Sequence, residues 1–262
     1  MLTNYHTHHY RCGHASGTIE DYVLEAIKHG YTEIGISCHA PFENVDVGHR
    51  MKFDELDDYF TDIKAVREKY NDQITVLSSL EIEYFPSEIA YLKEMRTRTN
   101  YLLLAQHFIE LNGKLQSSFS FTHPLEIEAY AKQAAIAMDT GLFDVLVHPD
   151  LFMIHYPKWD ETCEKAVHTI AKSAIKNNII LEINANGFRN SIRNDNHERG
   201  SDANPYPVPE FWAIVRDSYP EVKVIVGSDC HAPELLNDKF MQKGREFAKL
   251  YKLNVIDALP KS

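Results

Sequence analysis

Short apolar runs alternate with longer amphipathic segments along most of the chain. Seven of these runs are rich in aliphatic and β-branched residues and have the length of buried strands. They cover residues 2–5, 31–37, 74–80, 101–105, 143–147, 179–183 and 222–226. Segments with helical character lie between them, over residues 19–29, 53–70, 124–140, 160–177 and 209–218. This alternation predicts parallel strands joined by helices.

The predicted strands are almost continuously apolar, which favours a sheet that is covered on both faces. A chain of 262 residues has the usual length of a barrel built from strand–helix units. It contains no Gly/Ser-rich linker, no low-complexity tract and no repeat of about 20–50 residues. We therefore predict an α/β fold, a parallel barrel of seven or eight strands, as a single domain over residues 1–262.

The composition restricts the partners of the protein. A formal net charge of −11 argues against nucleic-acid binding, because phosphate backbones bind basic faces. A small phosphorylated substrate is compatible with it, since bound cations can reverse a local field. We expect no membrane span, because no run of about 18 apolar residues is present. We expect no signal peptide, because the first residues do not form a basic segment followed by an apolar one. Four cysteines without a Cys-x-x-Cys motif are expected to be reduced thiols in a cytoplasmic protein, whose oligomeric state the sequence does not predict.

Side chains that can bind metals follow the apolar runs. Nine candidates, seven histidines and two carboxylates, are His6, His8, His14, His39, Glu81, His107, His148, Asp229 and His231. Imidazole binds Zn, Mn or Fe, and carboxylates bridge such ions. Because the carboxyl ends of parallel strands meet at one mouth of a barrel, we expect these groups to converge there. An open doubly wound sheet is the alternative fold, but it would hold the ligands too far apart to share a cluster, and no glycine-rich dinucleotide motif is present.

The spacing of two ligand pairs supports convergence. His6 and His8 are two residues apart, as are Asp229 and His231. At the end of a strand, alternate residues face the same side, so each pair can reach one site. His9 is expected to face away and to be a packed or surface residue.

Glu81 is the best candidate for a bridging ligand. It follows a strongly apolar run, where a buried carboxylate without a partner would be costly and where metal ions would remove that cost. Glu83 has the same strand phase, and a structural salt bridge is the favoured interpretation for it. Nine ligands exceed the needs of one ion, so we predict a cluster of two or three ions, which is typical of phosphate-ester hydrolysis.

This ligand set resembles that of the polymerase and histidinol phosphatase (PHP) family. The family is marked by an N-terminal His-x-His, a His in the following loop, further His and Glu residues at strand ends, and a terminal Asp-x-His. All nine positions are present between His6 and His231. The resemblance implies a distorted, parallel (β/α)7-type, TIM-like barrel with the metal site at its C-terminal mouth.

The resemblance also implies three divalent ions, Zn, Mn or Fe, and divides the ligands among them. The first ion would be held by His6, His8, Glu81 and Asp229, the second by Glu81, His107 and His148, and the third by His14, His39 and His231.

Three segments are similar to the stand-alone histidinol-phosphate phosphatase branch of the family. They are residues 81–86 (Glu-Ile-Glu-Tyr-Phe-Pro), 106–108 (Gln-His-Phe) and 182–189 (Glu-Ile-Asn-Ala-Asn-Gly-Phe-Arg). At Glu83 and Gln106 the chain departs from the usual Asp and Val. These departures leave the nine ligands intact and concern only how the substrate is recognised. The implied activity is hydrolysis of L-histidinol phosphate to L-histidinol and phosphate in histidine biosynthesis. Metal-bound hydroxide would attack phosphorus in line.

Asp229 and His231 are the candidate catalytic residues, with Asp229 expected to shuttle the proton of the nucleophile. Arg189 is the candidate substrate-binding residue, because a guanidinium matches phosphate oxygens in a bidentate manner. Arg193 and Arg199, in the polar loop that we predict over residues 184–209, are weaker alternatives.

Three other functions remain open at this point. One is a phosphoesterase of the same family that acts on nucleotides or other small phosphate esters. Another is a non-catalytic, metal-stabilised module, which the full ligand set disfavours. The third is an amidohydrolase-like barrel, for whose metal-bridging lysine the chain has no obvious strand-end match.

Overall fold

The computed structural model of the chain describes residues 1–193 and 206–260. Its strands are β1 (Thr3–Asn4), β2 (Glu33–Ile36), β3 (Thr75–Ser78), β4 (Glu81–Glu83), β5 (Leu103–Ala105), β6 (Phe108–Leu111), β7 (Lys114–Ser117), β8 (Val145–Leu146), β9 (Ile180–Asn184), β10 (Lys223–Gly227) and β11 (Asn254–Val255). Its helices are α1 (Ile19–Lys28), α2 (Leu56–Lys69), α3 (Ile89–Arg98), α4 (Pro124–Asp139), α5 (Glu161–Asn177), α6 (Ala185–Arg193), α7 (Pro209–Ser218) and α8 (Lys239–Leu250). The five predicted helices are confirmed to within a few residues.

Local side-chain chemistry sets the helix ends. Thr18 and Asp21 form a reciprocal capping box at the start of α1. Asp160 accepts the N–H groups of two first-turn residues of α5, and Asn178, with φ of 55°, ends that helix in the left-handed conformation. These signals lie in the sequence itself, which is why the helix bounds are predictable.

The strands form two parallel sheets, and a small antiparallel hairpin of β6 and β7 stands apart from them. One sheet has the order β1-β2-β3 and the other β11-β10-β9-β8-β5-β4. β3 and β4 are separated by Ser79 and Leu80 alone, so one bent segment serves both sheets. The strand predicted over residues 74–80 therefore ends early, at Ser78, and Glu81 begins a second strand instead of following the first.

Two isolated parallel bridges join the sheets, His39 with Glu81 and Thr7 with Cys230. With β3 and β4 taken together, the strand order runs β1, β2, β3/β4, β5, β8, β9, β10 and returns to β1. The predicted class, an α/β fold with parallel strands in a distorted barrel arrangement, is confirmed. The hydrogen-bond ladder is not continuous around it, because each junction consists of a single bridge at the carboxyl ends of the strands.

The predicted loop over residues 184–209 is wrong in its first part, because α6 covers Ala185–Arg193. Asn and Gly are poor helix formers, and the pattern at this point favours a loop. Tertiary packing overrides it: Phe188 is 1% exposed and its ring lies 6.0 Å from that of Phe247 in α8.

The core lies between the sheets and the helices, with a separate cluster formed mainly by alternate residues of the strands. That cluster contains Tyr5, Tyr101, Leu103, Ala105, Val145, Val147, Ile180 and Ile225. The four cysteines are free and buried, as expected. Within the described ranges, no helix combines the length and apolar character that crossing a bilayer requires.

Gly35 in β2 provides a stability test of this packing. The hydroxyl of Tyr101 donates a 2.5 Å hydrogen bond to the carbonyl of Tyr5, and a Cβ at Gly35 would overlap that hydroxyl. Gly35→Ala should therefore lower the free energy of unfolding by about 1–3 kcal/mol. Urea denaturation measures the change, and Gly113→Ala, where a Cβ meets open space but φ is +71°, calibrates the cost of backbone strain alone. A smaller loss for Gly35→Ala than for that control would contradict the packing argument.

Candidate metal centre

The structure brings the nine predicted ligands to one end of the strand arrangement. Each strand or the segment just after it delivers its ligands there, and His14 arrives from the loop behind a short 3-10 turn over Tyr10–Cys12. We call this end the mouth. The ligand atoms make close mutual contacts that link all nine side chains, so the predicted convergence is observed.

Glu81 lies at the centre of the cluster and is 1% exposed. Its Oε1 lies 2.9 Å from Nε2 of His148 and 3.4 Å from Nε2 of His107. Its Oε2 lies 2.7 Å from Nδ1 of His39 and 3.4 Å from Nε2 of His8. The two oxygens thus face different histidine groups, an arrangement that suits the bridging role predicted for Glu81.

His6, His8 and Asp229 form a second part of the cluster. Nε2 of His6 and Nε2 of His8 are 3.1 Å apart, and Oδ1 of Asp229 lies 3.1 Å from Nε2 of His8. Two nitrogen ligands of a tetrahedral zinc ion, each at about 2.0–2.1 Å, are separated by roughly 3.3–3.4 Å. The observed separations are therefore close to those of ligands that share one ion.

The third part of the cluster lies nearer the surface. Nε2 of His14 and Nε2 of His231 are 2.9 Å apart. Ligand atoms of His8, His39 and His231 lie within 4.8 Å of one another, as do those of His39, Glu81 and His107. His39 consequently lies between the group around Glu81 and the outer group.

Unsatisfied polar atoms indicate that these residues fit metal ions. Oε2 of Glu81 and Nδ1 of His39 approach to 2.7 Å, yet neither has a partner in hydrogen-bond geometry. A buried polar atom without a partner is costly, and a cation between the two atoms would satisfy both. Together with the imidazole and carboxylate donors, this supports divalent metal binding by the cluster.

The carboxylates are held in the ionised form. Burial would raise the pKa of Glu81, but the charge of the surrounding imidazoles, among them His107 and His6, outweighs it and holds that pKa well below its ordinary value. Burial also opposes ionisation of Asp229, and His6 with His8 holds the pKa of Asp229 well below its ordinary value. Both groups therefore present the charge that a cation requires.

Two of the imidazoles are held neutral. Burial lowers the pKa of His39 well below its ordinary value. Burial, followed by the neighbouring His8, lowers the pKa of His231 to about 4. Neutral imidazole is the ligand form, so His231 is better suited at neutral pH to bind a metal than to donate a proton.

Glu182 supports the ligands from behind, and the ligand pattern along the chain does not identify it. This fully buried carboxylate lies 2.9 Å from Nδ1 of His6 and accepts the backbone N–H of His148 at 3.2 Å and the amide of Asn184 at 2.8 Å. Such a bond fixes which ring nitrogen of His6 faces the metal. Gly227 in the neighbouring strand makes room, because a Cβ there would overlap the Glu182 carboxylate.

Glu83 has the structural salt bridge that we predict. Its Oε1 lies 2.6 Å from Nη2 of Arg50, and it also lies 2.7 Å from Nδ1 of His107. Glu83 therefore orients His107 as Glu182 orients His6. His9 is buried and its ring stacks on that of Tyr59, in agreement with the predicted packing role.

Asp229 is constrained by both its backbone and its neighbours. Its φ is +46°, in the left-handed region that few residues other than glycine adopt. Its Oδ2 accepts the amide N–H of Asn184 at 3.1 Å and that of Asn186 at 3.4 Å, which leaves Oδ1 directed at the histidines. His148 also has a positive φ, of 34°, so two ligands occupy strained conformations at the mouth.

Arg189 has partners that the sequence does not reveal. Its guanidinium makes a two-point ion pair with Asp238 at 2.8 and 3.0 Å and donates to the carbonyls of Ser228 and Leu235. These bonds leave one N–H on Nη1 for a substrate, and the predicted phosphate contact stays a prediction. The side chain of Arg193 and the whole of Arg199 lie outside the described residues.

A cavity of about 280 Å³ adjoins the cluster. Its described lining consists of His14, His39, Glu81, His107, Phe119, His148, Leu151, Asn186, Arg189, Asn190, Tyr206, Asp229, His231 and Leu235. Seven of these residues are predicted metal ligands, and Arg189 is the candidate substrate-binding residue. A ligand in this cavity would therefore contact the metal centre.

Replacing Glu182 tests its supporting role. Glu182→Gln puts an amide nitrogen among N–H donors, so the His6 ring should lose its orientation. We expect metal affinity to fall by about 10–100-fold. Competition with a chromophoric chelator measures the change, and the exposed Glu221→Gln is the matched control. Unchanged affinity in Glu182→Gln would contradict the assignment.

The PHP domain family model matches residues 4–186. This match extends over more than half of the chain and includes the mouth ligands from His6 to His148. The chain belongs to the PHP domain family.

The chain is similar to several proteins named as histidinol phosphatases. The chain is 24% identical over 260 residues to a protein of Deinococcus radiodurans named "Probable histidinol-phosphatase", with 94% of this chain and 92% of the relative covered. A candidate histidinol phosphatase of Listeria monocytogenes has a TM-score of 0.71 at 18% identity, with 92% and 99% of the two chains covered. Histidinol phosphate phosphatase of Lactococcus lactis, in complex with zinc, L-histidinol and phosphate, has a TM-score of 0.68 at 16% identity, with 97% and 95% covered. At these identities the two structures show the fold.

Proposed function

We propose that the protein is a metal-dependent phosphomonoesterase that hydrolyses L-histidinol phosphate to L-histidinol and phosphate, a step of histidine biosynthesis. The observation that carries this proposal is the convergence of nine ligand side chains around a shared, buried Glu81 beside a cavity. The family membership and the named relatives support the substrate.

We infer three ion positions. His6, His8, Glu81 and Asp229 would hold the first, Glu81, His107 and His148 the second, and His14, His39 and His231 the third. The contacts within each set support this division, and His39 is near enough to Glu81 to serve the second position as well. Zinc, manganese and iron all suit imidazole and carboxylate ligands, and the zinc in the Lactococcus lactis structure favours zinc.

The bound ions would polarise phosphoryl oxygens and lower the pKa of a water molecule. Asp229, which lines the cavity and is oriented by the amide of Asn184, would take up the proton that this water loses. His231 stays a candidate catalytic residue, because it would hold one of the ions that take part in the reaction. Arg189 could use its remaining N–H to bind a phosphoryl oxygen at the cavity wall.

The surroundings of the site favour a small substrate. A cavity of about 280 Å³ lies near the lower end of the range for small-molecule sites. A long oligonucleotide would need a basic groove, which the net charge of −11 does not favour. Free, buried cysteines support a reducing, cytoplasmic location.

Phosphate release from the purified, metal-reconstituted protein tests the proposal. L-histidinol phosphate should be hydrolysed much faster than a nucleoside monophosphate or p-nitrophenyl phosphate. Similar low rates on all three would overturn the substrate and leave the phosphatase class, whereas no release from any would overturn the class. Fewer than two equivalents of bound metal after reconstitution would contradict the three-ion arrangement.

A further inference from the structure

An aromatic side chain that binds no metal extends the ligand wall of the cavity. The ring of Phe119 lies almost parallel to that of His107, with centroids 5.7 Å apart and an interplanar angle of 18°. His107 adjoins His148 at 4.8 Å, and His148 adjoins Tyr206 at 6.4 Å. Four rings therefore form a continuous arc along one wall, and Phe119 is its outer end.

Phe119 is 41% exposed, although its backbone is firmly held. The neighbouring Ser118 is fully buried, and it donates its N–H to the carbonyl of His107 at 2.7 Å and its hydroxyl to that of Gln106 at 2.6 Å. The N–H of Phe119 is bonded to Oγ of Ser117 at 3.3 Å. The accessible face of this ring is therefore held in place at the wall of the cavity, where a bound ligand can contact it.

The charged groups of the cavity do not provide selectivity for an organic leaving group. Among its described lining residues, the carboxylates are Glu81 and Asp229, and both face the histidine ligands. The guanidinium of Arg189 is engaged by Asp238. Away from the metal ligands and Arg189, the described lining offers two aromatic rings, Phe119 and Tyr206. Tyr206 is 2% exposed, so Phe119 presents the more accessible ring to a leaving group.

We propose that Phe119 is a specificity-determining residue whose exposed face stacks on the planar ring of the leaving group. This inference rests on the proposed function, because the imidazole ring of L-histidinol phosphate supplies that plane. Flat rings prefer offset stacking on aromatic side chains, and a protonated imidazole would add a cation–π attraction. Phosphate esters without a ring would gain nothing from Phe119.

Kinetics on two substrates test the inference. In Phe119→Ala, kcat/KM for L-histidinol phosphate should fall about fivefold to tenfold, mainly through KM. For glycerol 3-phosphate, which is also the phosphate ester of a primary alcohol, it should change by less than about twofold. Phe119→Tyr should restore the rate on L-histidinol phosphate. Leu115→Ala, in β7 just before the 3-10 turn that holds Phe119 and likewise 41% exposed, is the matched control.

Product inhibition gives a second readout. The inhibition constant of L-histidinol should rise in Phe119→Ala by the same factor, while that of inorganic phosphate should stay unchanged. Equal losses on both substrates together with a lower metal content would mean that Phe119 acts through His107, and this would overturn the proposal. So would unchanged kinetics on both. If the unaltered enzyme hydrolyses glycerol 3-phosphate but not L-histidinol phosphate, the proposed function fails first.

Discussion

Replacing Glu81 with glutamine should lower phosphate release from L-histidinol phosphate by at least about 10³-fold. Its two oxygens face four histidines at 2.7–3.4 Å, and no other carboxylate among the described residues faces so many of the ligands. An amide offers one acceptor oxygen, and its NH₂ group would point at ligand nitrogens or at a cation. Steady-state kinetics and elemental analysis of the same sample measure the loss of activity and of bound metal.

The control for Glu81→Gln is Glu221→Gln, the same change at an exposed position near the opposite end of β10. It should keep both activity and metal content. Circular dichroism of the metal-free proteins distinguishes a folding defect from loss of the site. Activity of Glu81→Gln within threefold of the unaltered protein would exclude a central role for this carboxylate.

Asp229→Asn should lower kcat by about 10²–10⁴-fold with little change in KM. Asparagine tolerates a positive φ, so the substitution avoids the backbone strain that alanine would introduce at +46°. Its amide oxygen can still face His8, but the side chain can no longer take a proton. The separate determination of kcat, KM and metal content is the measurement.

Metal retention decides how Asp229 acts. If kcat falls while bound metal is kept, Asp229 carries the proton; if both fall in parallel, Asp229 serves mainly as a ligand. Asp72→Asn, an exposed carboxylate that has no partner among the described contacts, is the matched control. Full kcat in Asp229→Asn would contradict both roles.

Much of the metal centre could be predicted because its signals are local. Most of the ligands adjoin a short apolar run, and parallel strands bring such positions together wherever the exact strand bounds fall. The break between Ser78 and Glu81 and the helix over Ala185–Arg193 escaped prediction because long-range packing determines both. The single domain over residues 1–262 stays a prediction.

The residues that orient the ligands, and the partners of Arg189, could not be predicted because their contacts are long-range. Glu182 is an isolated acid in an apolar strand, and its role emerges from the sheet: the register pairs it with Ile225 of β10, and Gly227, two residues further along, leaves room for its carboxylate. Arg189 resembles a phosphate ligand until Asp238, 49 residues further on, is found to engage its guanidinium. Partners so distant along the chain leave no periodic pattern.

Metal ligands lie at both junctions between the two sheets. At each, a single backbone bridge is flanked by ligands from both sheets: His39 and Glu81 at one, and His8 with Asp229 at the other. Bound cations would therefore cross-link halves of the molecule that share few hydrogen bonds. The resistance of the enzyme to heat should then track the free zinc or manganese concentration of its surroundings.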